Sequence, residues 1–318
     1  MTDPRSLNSD PCPLKIGSRG SQLALWQANH IADELRARGH AVSIEIIRTS
    51  GDAMQHLTFA QVGASVPKGM FTKEIEEALF DRRIDLAVHS LKDLPTTLDE
   101  PFTLAAIPPR ADASDAFVSI RYENFSALPP GARIGTSSLR RQAQLRALRS
   151  DLEYLEFRGN VDTRLRKLAE GQADAIILAA AGLERLGRTD YLRGRFPALV
   201  LCPAAGQGAL AIETRAGDTT TIEALSALDD PSTRFAVTAE RAALAALGGG
   251  CQVPIGIHCQ PAADGFTIIG AVAAPHGQSI IRAELDHQHG TSPAILGQRL
   301  AARLLEQGAR SLLERTVP

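Results

Sequence analysis

Residues 131–180 read GARIGTSSLRRQAQLRALRSDLEYLEFRGNVDTRLRKLAEGQADAIILAA, and this stretch decides the fold. Ala132 to Gly135 reads as a strand, Ser138 to Arg149 as a helix, and Leu152 to Phe157 as a strand again. Asp162 to Glu170 reads as a helix closed by Gly171, and Ala173 to Ala180 as a further strand. Strands that alternate with helices pair in parallel through right-handed crossovers, which makes this block an α/β sheet unit.

Upstream the same grammar appears once more. Leu14 to Gly17 reads as a strand, and Leu23, Trp26, Ile31 and Leu35 share one face of a helix that ends at Gly39. Val42, Ile44 and Ile46 alternate as a strand, Thr72 to Phe80 is an amphipathic helix, and Ile84 to His89 is a further buried strand. Two such blocks imply two sheet domains side by side, with Pro108 and Pro129 near the seams. Downstream the pattern changes. Asp230 is an N-cap, Pro231 takes the first helical position, and a run of alanines and leucines is stopped by Gly248-Gly249-Gly250. Val253 to Gln260, Phe266 to Val272 and Ser279 to Leu285 are strands joined at Asp264-Gly265 and His276-Gly277, an antiparallel three-stranded sheet, and Ser292-Pro293 caps a final helix. The third unit is therefore a small α+β domain.

Composition narrows the function. A chain of 318 residues exceeds one ordinary core, so two or three domains are expected. The formal net charge of -2 supplies no overall field for nucleic acid or an anionic membrane, and no apolar run approaches the roughly 20 residues of a membrane span. Met1 to Pro13 is polar and proline-bearing, which reads as a loose tail rather than an export signal. Cys12, Cys202, Cys251 and Cys259 form no CxxC pair, so neither a metal site nor a disulfide scaffold is expected, and a reducing cytoplasm suits them. P-loop, GxGxxG-after-strand and triad patterns are missing.

Ligands of open parallel sheets sit beyond the carboxyl ends of the strands. Those ends carry Ser18, Arg19 and Ser21; Ser90, Lys92 and Asp93; Thr136, Ser137, Ser138, Arg140 and Arg141; and Arg158 and Asn160, with Arg164 one helical turn on. Helix N-termini and guanidinium forks together favour a polyanion. Any single arginine is more often a solvated helix-face residue, but their shared placement favours a site. Asp93 is the carboxylate of the Leu91–Pro95 turn, suited to hold a developing positive charge or exchange a proton, or equally to cap the turn. Cys251 sits in a loop after three glycines; a lone cysteine is more commonly a small buried hydrophobe than a nucleophile.

These segments resemble the porphobilinogen deaminase family over nearly the whole chain. The resemblance rests on Ser18–Gln27, Ala87–Pro95, Gly135–Gln142, Arg158–Val161, Asp174–Ala179 and Gly249–Pro254, in the family's order. It implies an α/β fold of two periplasmic-binding-protein-like (type II) domains with parallel or mixed sheets, plus the small α+β C-terminal domain. The expected division is a flexible tail 1–12, domain 1 at 13–108 with about 209–227, domain 2 at 109–208 and domain 3 at 228–318. It further implies a transferase of tetrapyrrole (haem) biosynthesis that deaminates four porphobilinogen molecules and joins them head to tail on a covalent dipyrromethane cofactor. Each porphobilinogen loses ammonia to give an azafulvene-like cation, which the terminal pyrrole attacks; hydrolysis then releases hydroxymethylbilane.

Carried over residue by residue, the resemblance implies a thioether from Cys251 to the dipyrromethane and a catalytic role for Asp93 at the pyrrole nitrogens. Lys92, Asp93, Thr136, Ser137, Ser138, Arg140, Arg141 and Gly159 would hold the cofactor, and Arg19, Ser21, Gln27, Lys68, Arg158, Arg164, Arg185 and Gln207 the substrate. The acetate and propionate of each pyrrole account for the arginines. Val62 to Phe71 is longer than the family's short glycine-lysine loop, whose lysine Lys68 matches. A cytoplasmic monomer is expected, with porphobilinogen as partner and without metal, nucleic acid or membrane. A solute-binding module of the same architecture would also explain a cationic cleft, but not Cys251 in a third domain, and an acyl or phosphoryl transferase would need motifs that are missing.

Overall fold

The computed structural model describes residues 13–53, 72–249, 253–287 and 290–314. The chain opens with β1 (Leu14–Ser18), α1 (Gln22–Ala37), β2 (Val42–Ile46), the single turn α2 (Ser50–Ala53), α3 (Lys73–Phe80), β3 (Leu86–Ser90), a one-turn 3-10 helix Leu91–Asp93, and β4 (Phe102–Ala106). It then crosses to β5 (Asp115–Val118), β6 (Arg133–Gly135), α4 (Leu139–Leu148), β7 (Glu153–Leu155), α5 (Val161–Ala169), β8 (Ala175–Ala179), α6 (Ala180–Arg185) and β9 (Leu192–Phe196). It crosses back to β10 (Leu210–Arg215) and α7 (Thr219–Leu225), and finishes with α8 (Pro231–Ala246), β11 (Ile255–Ala262), β12 (Gly265–Ala273), β13 (Ile280–Asp286), α9 (Pro293–Glu306) and α10 (Ala309–Glu314).

Among the described residues these strands form three sheets, in the orders β2-β1-β3-β10-β4, β7-β6-β8-β5-β9 and β11-β12-β13. The first two share one plan. Three strands run parallel, as in the registers Ile16↔Leu86 and Ile134↔Ala175, and the fourth is antiparallel to both its neighbours. In each sheet that antiparallel strand is the one reached after a crossing: β5 on the way out, β10 on the way back. This is the type II periplasmic-binding arrangement, and it makes both sheets mixed where alternation alone implied parallel ones. The third sheet is the antiparallel meander, and α8 and α9 pack on it.

The cores follow the strand pattern. On β8, Ala175 and Ile177 point into one apolar cluster and Ile176 and Leu178 into another, so both faces are covered and the strand is apolar throughout. Each fully buried isoleucine there contributes about 1.5–3 kcal/mol. Ser21, Ser138, Asn160, Asp218, Asp230 and Ser292 each accept a backbone N–H of the first turn of a helix, worth about 1 kcal/mol apiece.

Two sequence expectations need correction. The final helix is two helices, interrupted by Gln307 and Gly308, the latter at φ +96°. Pro108 lies at the first crossing, but Pro129 sits inside the second sheet unit, between a 3-10 turn at Phe125–Ala127 and β6. Cys12, Lys68 and Cys251 fall outside the described residues. Among those described, no helix is long and apolar enough to cross a membrane.

Candidate active site

Most of the expected residues follow the carboxyl ends of β1, β3 and β6. Beyond β1, Arg19 is half-buried, and Ser21 caps α1 by accepting the Ala24 N–H at 3.3 Å. Gln27, buried on α1, donates from Nε2 to Ser90 Oγ at 2.8 Å and thereby ties that helix to the end of β3. There the chain turns through Leu91–Asp93. Leu91 is buried beneath it, Lys92 is half-buried and Asp93 is exposed.

Lys92 Nζ donates to Gln207 Oε1 at 3.4 Å. Burial lowers its pKa to about 8; Asp93 pulls upward and Arg141 downward. Across from it, Thr136 is buried, its hydroxyl accepts the Ser138 N–H at 3.3 Å, and its carbonyl accepts Gln142 Nε2 at 2.6 Å. Ser137 Oγ accepts the Phe157 N–H at 2.8 Å, which joins the loops after β6 and β7, and Ser138 Oγ caps α4. Gly159 sits at φ +118°, and a Cβ there would come within 2.7 Å of the Thr163 side chain, so the backbone approach is open only to glycine.

Arg140 and Arg141 are both buried, at 5% and 6% exposure, and share one carboxylate. Each lies 2.7 Å from Asp115 at the start of β5. Arg140 also donates to the Cys202 carbonyl at 2.6 Å and Arg141 to the Ile177 carbonyl at 3.0 Å. Burial alone would raise the Asp115 pKa, but the two guanidinium charges outweigh it and hold the group well below the usual carboxylate range. Two cations on one anion leave the cluster with a net positive charge. Asp115 was not anticipated; its only signal in the sequence is an acid heading the apolar run Ala116–Val118.

Arg158 is half-buried, and its Nε donates to Glu156 at 2.5 Å. Arg164 is more isolated. Its Nε is buried with no hydrogen-bond partner, and burial, with Arg141 and Arg158 adding to it against Asp93, pulls its pKa to about 10. Arg185, at the end of α6, donates to the Gly208 carbonyl at 2.7 Å and lies 5.7 Å over the Trp26 ring of α1. Burial brings it to about 10 as well. Guanidinium groups so poorly solvated remain cationic at neutral pH and gain by pairing with an incoming carboxylate.

Gln207 has a role the sequence did not suggest. It is fully buried, donates from Nε2 to the Ala113 carbonyl at 2.7 Å and to Asp115 at 2.9 Å, and accepts Arg110 Nε on its own carbonyl at 2.8 Å. It ties the two crossings together and links Lys92 to the Asp115 cluster.

The site is thus an exposed carboxylate in a rim of cations, with one buried guanidinium nitrogen lacking a hydrogen-bond partner. That donor set fits a small acid bearing several carboxylates, and so fits a dipyrromethane with its acetate and propionate arms. The family model described as porphobilinogen deaminase, dipyromethane cofactor binding domain matches residues 14–223, and that of the porphobilinogen deaminase C-terminal domain matches 234–306. The porphobilinogen deaminase of Roseiflexus castenholzii is 49% identical over 302 residues, 94% of this chain and 98% of the relative. That of Trichlorobacter lovleyi is 49% identical over 307 residues, 96% of each chain. Among solved structures, the methionine-binding protein MetQ is similar at a TM-score of 0.43 and 11% identity, over 68% of this chain and 89% of that one. Both family domains, in order and across most of its length, place this chain in the porphobilinogen deaminase family.

Proposed function

We propose that the chain condenses porphobilinogen head to tail between its first two units, with Asp93 at the reacting centre. The observation that carries this is the exposed Asp93 carboxylate beside Lys92, within electrostatic reach of Arg164, whose Nε lacks a hydrogen-bond partner. The division adopted is 13–108 with about 209–227, 109–208, and 228–318.

When bound through the Cys251 sulfur, a dipyrromethane supplies the pyrrole carbon on which the product chain grows. The residues of this chain do the rest. Asp93 accepts the pyrrole N–H of the substrate on its carboxylate oxygens and holds the positive charge that develops as ammonia departs, then accepts and returns protons there. Lys92, Arg140 and Arg141 hold cofactor carboxylates, aided by the backbone around Thr136–Ser138 and Gly159. Arg19, Ser21, Gln27, Arg158, Arg164 and Arg185 engage the arms of the substrate and of the growing chain; Gln207 keeps Lys92 and Asp115 in register. Lys68 and Cys251 belong to the same reading on sequence grounds. Cys202 and Cys259 are buried thiols pushed up to about 12, unsuited to a covalent link; the same reading makes the enzyme a cytoplasmic monomer.

Intact mass of the purified protein beside Cys251→Ala tests the assignment. The expected result is an excess equal to two linked pyrroles in the first alone. Bare mass in both, persisting after incubation with porphobilinogen, would reject it.

A further inference from the structure

The third unit reaches the catalytic turn directly. Helix α8 lays Val237 and Arg241, one helical turn apart and so on one face, against the segment Leu91–Thr96. Val237 packs with Leu91 and Leu94, the two apolar residues that bracket Lys92 and Asp93. Arg241 Nη2 donates to the Pro95 carbonyl at 2.7 Å and to the Thr96 carbonyl at 3.1 Å.

The Arg241 guanidinium is largely removed from water, which lowers its pKa, and its hydrogen bonds go to two backbone carbonyls of another unit. The turn itself is short: Leu94 N–H closes it on the Leu91 carbonyl, and Pro95 limits how the chain can leave. Asp93 is exposed, so the backbone of this turn sets where its carboxylate points. Fixing the chain just after the turn therefore fixes the carboxylate. The same helix ends at Ala246, five residues before Cys251 in the sequence.

We propose that Arg241 is a positioning residue for the reaction: by clamping the carbonyls of Pro95 and Thr96 it sets the Asp93 turn from the third unit. The helix that precedes the cysteine segment in the sequence thereby carries the seat of the catalytic turn on its side. The inference rests on the assignment of Asp93 made above. A shift of an ångström in a reacting group can cost about a hundredfold in rate, so a loosened turn should reduce kcat rather than substrate affinity.

The test uses full-length enzyme whose cofactor loading has been verified by intact mass. Arg241→Gln should lower kcat about tenfold or more with KM changed less than about twofold, and Arg241→Lys should recover most of the loss. In an Asp93→Glu background, where the carboxylate is already displaced, Arg241→Gln should cost much less than it does alone. Unchanged kcat in Arg241→Gln, a change confined to KM, or equal losses in both backgrounds would overturn the proposal. Val237→Ala, a milder loosening of the same seat, should lower kcat severalfold at constant KM; a loaded Val237→Ala enzyme with unchanged kcat overturns it even if the arginine variants do not fold. Asp93→Asn measured in parallel separates the two assignments. Full turnover there removes Asp93 from the mechanism, whereas loss there with normal Arg241→Gln removes only Arg241.

Discussion

Lys92 is a lysine whose charge is lost within reach of ordinary assay conditions. Burial brings its pKa to about 8, so it is cationic below that pH and neutral above it. If it holds a carboxylate, kcat/KM should fall as pH rises through about 8, because that parameter reports groups of the free enzyme. Lys92→Arg keeps the charge at all accessible pH and should remove that alkaline limb; a limb unchanged by the substitution would assign it elsewhere. Lys92 and Asp93 were legible in the sequence because both follow a buried strand directly, where sheet geometry places ligands. Asp115 was not, and Gln207 entered only through the family resemblance. Their partners, Arg141 and Lys92, lie 26 and 115 residues away along the chain, and only the folded crossings bring them together.

At the scale of elements, α4 shows what periodicity misses. Its sequence, Leu139–Leu148, suggests an exposed Arg-Arg pair, yet Arg140, Arg141 and Gln144 lie among its buried residues. They are accommodated because Asp115 and the Cys202 carbonyl meet them there. The strands β4, β5, β9 and β10 also escaped the sequence reading, being four to six residues long and paired antiparallel with neighbours that lie far along the chain or across a crossing. Helix α4 is held from outside by the third unit. Gly277, in the turn between β12 and β13, has φ +72°, and a Cβ there would stand 2.6 Å from Arg146 Cβ and 2.8 Å from the Ala143 carbonyl oxygen. Gly277→Ala should cost more than the roughly 1–3 kcal/mol of the strained backbone alone, since the hairpin must also lift from α4. Gly131→Ala is the control: φ is +76° there, with nothing within 4 Å of the added methyl. Urea denaturation should find Gly277→Ala the more destabilised; equal losses would mean that the hairpin does not brace the helix.

At the scale of the molecule, one buried carboxylate joins all three units. Glu240 of α8, fully buried, accepts Arg110 Nη1 at 2.6 Å and Nη2 at 3.2 Å, the Gly206 N–H at 2.6 Å and the Cys259 N–H at 2.7 Å. Arg110 lies on the outward crossing, Gly206 on the return, and Cys259 on β11. Burial alone would raise the Glu240 pKa, but the Arg110 charge, joined by His258 at 3.5 Å, outweighs it and keeps it low. The resulting stability is complete above the unfolded carboxylate pKa and is lost as pH falls through the lower folded value. The two partners are not equivalent. Removing Arg110 leaves a carboxylate that still has two backbone N–H donors, whereas removing Glu240 leaves a buried guanidinium and two unpaired N–H groups. Breaking a buried pair costs about 3–5 kcal/mol, and each stranded N–H adds about 1–3 kcal/mol. Glu240→Leu should therefore be destabilised more than Arg110→Leu in urea denaturation, and the double variant should not recover wild-type stability. Equal losses, or recovery in the double variant, would show that the carboxylate serves only the arginine and does not anchor the third unit to the crossings.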